Sequence, residues 1–303
     1  MIMKSEFVSM LEKFEYSAEE IANVSENYEK MMSVDSVRAD LDGLISAYRD
    51  REELDVPSLL ALSASTAERV GIHEYCTRLI CFLVLVPYSK KYFDAEGLSE
   101  QEWYDSMIDL KWKLRECLNV YGIYGTFVDW FQMFYFAKRV TFGRLQFNLT
   151  KVPADFTCGN ISIKKGDLAL AVHIPTDSRT PFNKENRMAA YRRADKYFSK
   201  FFPDGKVLFS CGTWLFNPAH EQILPESSNV RSFMDEFVMD DGTLKHGLDN
   251  AWRIFGFGTR PYDGNVDALP EKSSMMRAYK AHIKNGGFIS VRYGYMYLAD
   301  IDK

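Results

Sequence analysis

The chain has 303 residues, 47% of them apolar, with 22 Phe and 17 Tyr. That length exceeds most single cores and implies two domains, and the apolar fraction excludes disorder. A formal charge of −5 and a pI near 5.7 exclude nucleic acid as a main partner, because phosphate contacts need clustered cations.

The first segment, "MIMKSEFVSMLEKFEYS", reads as an amphipathic helix rather than a signal peptide, since no apolar run with a cleavage site follows. In "SAEEIANVSENYEKMM", Ser17 and Glu20 form a predicted capping box. "SVDSVRADLDGLISAYRDR" places Val37, Leu41, Leu44 and Ile45 on one stripe. "PSLLALSASTAERVG" carries Pro57 at its start and Gly71 at its end, the usual helix punctuation. Leu79 to Val86 ("LICFLVLV") is far shorter than the ~20 residues needed to cross a bilayer and is expected to be a core helix. "LSEQEWYDSMIDLKWKLRECLNVYG" closes the series with Trp103, Met107, Leu110, Leu114 and Leu118 at helical spacing. These segments predict a helical domain over residues 1–125.

Beyond Gly125 the period shifts towards two. "RVTFGRLQFNLTKV", "LALAVHIP", "KVLFSCGTWLF", "AWRIFGFG" and "FISVRYGYMYLA" read as strands. Helices are expected over Asn183–Phe202, Asn229–Phe237 and Ser273–Lys284. Strands alternating with helices predict a mixed sheet with flanking helices over residues 126–303, an α+β class for the whole chain.

The cysteines at 76, 81, 117, 158 and 211 are odd in number and lack the C-x-x-C spacing, so neither a disulfide framework nor a zinc site is expected. This predicts a cytoplasmic protein with reduced thiols and no membrane anchor, in which the sequons at Asn148 and Asn160 go unused. His73, His246 and His282 stand apart from any ligand-spaced set, and no metal is inferred. The oligomeric state is not readable.

Two segments invite a ligand. "LALAVHIPTDSRTPFNKENRMAAYRRADKYF" passes from strand through a polar loop to a long helix, and the amides at such a helix start favour an anion. "FSCGTWLFNPAHEQILPESSN" brings Cys211, Trp214, His220, Glu226 and Asn229 close in sequence. Each residue has a plainer reading as well. Cys211 is a nucleophile only with a nearby base, and otherwise a buried thiol. His173 either acts as a base or is hydrogen-bonded in the core. Trp214 either walls a pocket or packs. Ser227, Ser228 or Asn229 can simply cap the next helix.

The order strand, polar loop, long helix, strand, short helix and further strands resembles the cofactor-binding half of the GNAT fold. "FGRLQF", "VHIP", "WLFNP" and "LPESSNVRSFMDEF" resemble a narrower bacterial family with a helical N-terminal domain and a GNAT-like C-terminal acyltransferase domain. The resemblance implies acyl transfer from acyl-coenzyme A, possible as acetyl-coenzyme A, to a small-molecule amine. It places the diphosphate at the loop after the "LALAVHIP" strand, with His173, Ser178, Arg179, Asn183, Lys184 and Arg187 as the cofactor-binding set. The acceptor side would hold Cys211, Trp214, Glu226 and Asn229. The family loop carries glycines, whereas "TDSRTPFNKENR" has none and adds Asp177 and Pro181. The family also places a tyrosine seven residues after the helix-initial Asn, where this chain has Glu236, a carboxylate able to serve as base if burial raised its pKa. These departures keep an alternative in view: a binding or scaffold protein that retains the fold without the phosphate loop. A Cys211-based hydrolase is a third reading.

Overall fold

A computed structural model describes residues 3–301, and these divide into two compact units that meet in sequence between Thr141 and Phe142. The first unit is helical, running through α1 (Lys4–Lys13), α2 (Ala18–Met32), α3 (Asp35–Arg51), α4 (Val56–Val70), α5 (Glu74–Leu83), α6 (Val86–Ala95), α7 (Glu100–Met107), α8 (Asp109–Tyr121) and α9 (Gln132–Tyr135). Local chemistry sets several ends. Ser17 accepts from the Glu20 amide while the Glu20 carboxylate accepts from the Ser17 amide, so both orphan donors of α2 are satisfied. Gly71 and Gly122 close α4 and α8 in the left-handed region, at φ 71° and 70°.

All eight residues from Leu79 to Val86 are at most 1% exposed, as their composition demands. They do not form one helix, however. The chain turns at Val84 and Leu85, and Pro87, lacking an N–H, sits in the first turn of α6. The period changes at Gly125, but residues 126–141 pack within the helical unit. There the Tyr135 hydroxyl donates to the Phe82 carbonyl at 2.6 Å, and Tyr48 donates to the Tyr135 carbonyl.

The second unit contains a mixed sheet. Its elements begin with β1 (Arg139–Phe142), which crosses the boundary. Then come β2 (Leu145–Lys151), β3 (Phe156–Cys158), β4 (Ile161–Ile163), β5 (Leu168–His173), α10 (Lys184–Phe198), β6 (Leu208–Thr213), α11 (His220–Ile223), α12 (Asn229–Met234), β7 (Val238–Lys245), α13 (Ala251–Phe255), α14 (Ser274–Lys284), β8 (Val291–Tyr297) and α15 (Leu298–Ile301). Within this unit the spatial order is β2-β5-β6-β8-β7, with β3 and β4 forming a separate hairpin. β5 and β6 are parallel, joined by the α10 crossover, while the other pairs are antiparallel. One sheet face packs on α10 through Tyr191, whose ring lies 5.5 Å from Phe209 and 6.4 Å from Phe147.

The predicted strand over Ala251–Gly258 is instead the short helix α13. Ala251, Trp252, Ile254 and Phe255 are its buried residues, four of five, so no apolar period distinguishes the helix from a buried strand. β7 carries no apolar alternation ("VMDDGTLK") and shifts register between Asp240 and Lys245, which hid it from pattern reading. Among the described residues no helix is long and apolar enough to cross a membrane.

Candidate active site

The parallel ladder between β5 and β6 comprises two register pairs, Leu170 with Phe209 and Ala171 with Ser210. Beyond them both strands continue, β5 to His173 and β6 to Thr213, while β6 keeps its pairing with β8 through Thr213 and Arg292. The sheet therefore parts at the carboxyl ends of its two parallel strands, and backbone groups of Val172, His173, Cys211 and Gly212 border the opening without a ladder across it. Such a parting of parallel strands is where an extended ligand can meet backbone donors.

Strand alternation sorts the side chains around this mouth. His173 shares a sheet face with its β2 neighbour Gln146, with Asn148, and with Ser210 and Gly212 on β6. His173 Nε2 lies 2.8 Å from Asn148 Oδ1. The Asn148 amide nitrogen donates to the Leu149 carbonyl at 2.9 Å, which orients its oxygen towards the ring. The Asn148 carbonyl oxygen thus faces His173 Nε2 and accepts from it in the tautomer protonated there. Gln146 is 3% exposed, and its Nε2 finds no hydrogen-bond partner among the described residues. A buried donor without an acceptor is costly and marks a place for a bound polar atom.

Across the mouth, Tyr293 on β8 stands opposite Gly212 in register. A Cβ at Gly212 would fall 2.6 Å from Tyr293 Cζ and 2.7 Å from Cε1, so the hydroxyl-bearing end of the ring lies over the glycine. Only glycine leaves room for it. Neither Gln146 nor Tyr293 is singled out by sequence pattern; the signal is the register that sets both beside the open ladder.

The loop after β5 is arranged differently from a glycine-rich cradle. Arg179 engages both oxygens of Asp177, with Nη2 to Oδ2 at 2.7 Å and Nε to Oδ1 at 3.2 Å, and Asp177 also accepts from the Arg179 amide. Ser178 and Lys184 are exposed. Asn183 caps α10, its side chain accepting from the Asn186 amide at 2.9 Å. Arg144, which pattern reading passed over, is buried and donates to the Pro175 carbonyl at 2.8 Å, with its guanidinium 5.2 Å from the Phe182 ring. Burial pushes its pKa down, while the charge of Asp177 opposes that shift.

Arg187, expected among the phosphate ligands, is fully buried. It donates to Glu236 through Nε and Nη2, to the Phe182 and Asn229 carbonyls through Nη1, and to the Ser232 hydroxyl. Its donors are taken, and Glu236 is correspondingly an ion-pair partner rather than an available base.

The acceptor-side residues lie in different settings. Cys211 is 2% exposed on β6, and burial raises its thiol pKa far above the usual range, so it is no nucleophile in this setting. Glu226 is exposed in the loop between α11 and α12. Asn229 begins α12, but Ser228 is the cap, accepting from the Val230 amide at 3.2 Å. Trp214 follows β6 and packs by its ring edge against His220 and Tyr279, at 5.8 and 6.2 Å. His220 is fully buried: Nδ1–H donates to the Leu215 carbonyl at 3.0 Å, and Nε2 accepts from the Tyr279 hydroxyl. This cluster is a structural hydrogen-bond chain, extended by Asn217, whose amide donates to the Phe288 carbonyl at 2.9 Å.

Comparison with known proteins places this geometry in context. Residues 5–135 match the family model of the N-acyltransferase N-terminal domain, and residues 140–296 match that of the GNAT-like C-terminal domain. Among solved structures, an acyltransferase in complex with decanoyl-CoA and teicoplanin is 19% identical with a TM-score of 0.70; the alignment covers 97% of this chain and 88% of that one. A mutant acyltransferase in complex with octanoyl-CoA is 20% identical at a TM-score of 0.72, with the same coverage. At such identity the likeness establishes the fold. No curated protein matches the chain.

Proposed function

From the premise that this chain belongs to the family joining an N-acyltransferase N-terminal domain to a GNAT-like C-terminal domain, we propose that it moves an acyl group from acyl-coenzyme A to an amine acceptor. The observation that carries this reading is the two-pair ladder between β5 and β6. A pantetheine arm, itself built of amides, is the extended ligand that an unladdered strand edge suits. The unpartnered Gln146 Nε2 offers a further donor to the donor substrate's carbonyl groups.

In this reading acyl-coenzyme A is a substrate that supplies an activated carbonyl. Its diphosphate would rest at the start of α10, near Ser178 and Lys184, with Arg179 shared between phosphate and Asp177. Arg144 holds the loop from beneath through Pro175. His173, held by Asn148 at the end of β5, borders the same opening and is the group positioned to take the proton of the incoming amine. Five unpaired cysteines fit a reducing cytoplasmic setting for this chemistry.

A second reading, a GNAT-like binding protein without transfer activity, is favoured by the glycine-free loop and the Asp177–Arg179 pair. Calorimetry with acetyl-, octanoyl- and decanoyl-CoA separates the two. Micromolar binding that weakens at least tenfold in Arg179→Glu supports transfer. No heat at millimolar ligand leaves the binding protein as the surviving reading.

A further inference from the structure

We propose that Thr213 and Arg292 bind a carboxylate on the acceptor, so that the amine this chain acylates is an amino acid with its carboxylate free. The inference rests on the transferase reading above and adds to it the chemical class of the acceptor.

The argument begins from register. Thr213 and Arg292 stand opposite each other as the last pair of the β6–β8 ladder. Side chains so paired leave the sheet on one face with their Cβ atoms about 5 Å apart. Arg292 is 9% exposed, and a guanidinium taken so far out of water calls for an anion. The anion within the chain is a poor match. Nη1 donates to Asp241 at 2.5 Å, but that carboxylate is 84% exposed and lies where β7 shifts register between Asp240 and Lys245. A partner facing water does little to hold a buried charge. Asp241 also occupies Nη1 alone. Nε is buried and meets no acceptor among the described residues. Nε and Nη2 share the other edge of the guanidinium, the planar fork that fits the two oxygens of a carboxylate.

Thr213 adds a third donor from across the ladder. Its Oγ1 accepts from the Leu215 amide at 3.2 Å, which leaves the hydroxyl proton to donate, and the residue is half-buried, within reach of a ligand. Position ties this pair to the chemistry. Thr213 directly follows Gly212, whose backbone borders the parting of β5 and β6. At a rise of about 3.4 Å per residue, the pair lies within a few ångströms of the opening assigned to the thioester. An amino acid carries its nitrogen one carbon away from its carboxylate and bridges a gap of that size. The reaction remains amine plus thioester giving amide plus free thiol; the fork decides which amine is held.

The test follows free thiol released from octanoyl-CoA, with the proteinogenic amino acids as acceptors and with the primary amide of each. The amide keeps the amine and the side chain and removes the negative charge. We expect kcat/KM for at least one acid to exceed that of its amide by about tenfold or more, with the difference in KM. Arg292→Gln should bring that ratio below about threefold, and Arg292→Lys, which keeps the charge without the fork, should also lower it. Acid and amide are compared on one preparation, so the ratio does not depend on how much of a variant is folded. If no acid outpaces its amide in the unaltered chain, or if both variants keep the parental ratio, the carboxylate site is overturned and the transferase reading stands. An unaltered chain that neither binds nor cleaves octanoyl-CoA overturns the transferase reading and the acceptor class with it.

Discussion

Arg187 and Glu236 form a buried pair that engages both carboxylate oxygens, Nη2 to Oε1 at 2.6 Å and Nε to Oε2 at 3.2 Å, and ties α10 to the segment just past α12. Tyr191 completes it, donating to Glu236 Oε2 at 3.0 Å. Removing one partner strands the other charge in the interior, a loss of about 3–5 kcal/mol. Arg187→Met should destabilise the chain by that order in urea denaturation. The double change Arg187→Met with Glu236→Leu should recover a large part of it. A single variant as stable as the parent would refute the structural role.

His220 yields a pH dependence of stability. Burial lowers its pKa to about 4, with the nearby His282 charge acting in the same direction and the Leu215 carbonyl opposing. In the unfolded chain the same ring titrates near 6.5. The unfolded state therefore binds more protons between these values, and folding stability is full above pH 6.5 and declines as pH falls towards 4. The decline attributable to this ring is about 3 kcal/mol. Carboxylates also titrate in that window, so the measurement is the difference in pH slope between the parent and His220→Gln. Parallel slopes would contradict the assignment.

The cysteines should divide sharply by reactivity. Cys158 is exposed on β3, whereas Cys211 is buried with its thiol pKa raised. Brief treatment of the native protein with iodoacetamide at neutral pH should alkylate Cys158 and spare Cys211, as read by peptide mass spectrometry. Rapid labelling of Cys211 would revive it as a nucleophile.

Gly125 is a glycine for contact reasons. A Cβ there would lie 2.4 Å from the Tyr75 carbonyl carbon and 2.7 Å from the Cys76 nitrogen, both backbone atoms that cannot step aside. The neighbouring Thr126 amide donates to the Tyr75 carbonyl at 2.9 Å and holds the approach. Gly125→Ala should lower stability by about 1–3 kcal/mol in the same denaturation assay. Gly43→Ala, in open space on α3, serves as the control and should be neutral or stabilising.

The sequence by itself determined whatever depends on neighbours along the chain. The Ser17–Glu20 capping box, the Gly71 stop, the burial of Leu79–Val86 and the strand–loop–helix unit from Leu168 to Phe198 are local in origin, since caps, periods and apolar runs act within a few residues. Tertiary structure alone decided which of the singled-out groups are used up. Arg187 meets a carboxylate 49 positions away, and His220 meets a hydroxyl 59 positions away. Likewise, Gln146 and Tyr293 acquire meaning only from the register that sets them beside a parted pair of strands. Pairing across a sheet and burial against distant elements leave no periodic trace, because the energy that selects them comes from removing surface and charge from water once the chain has closed on itself.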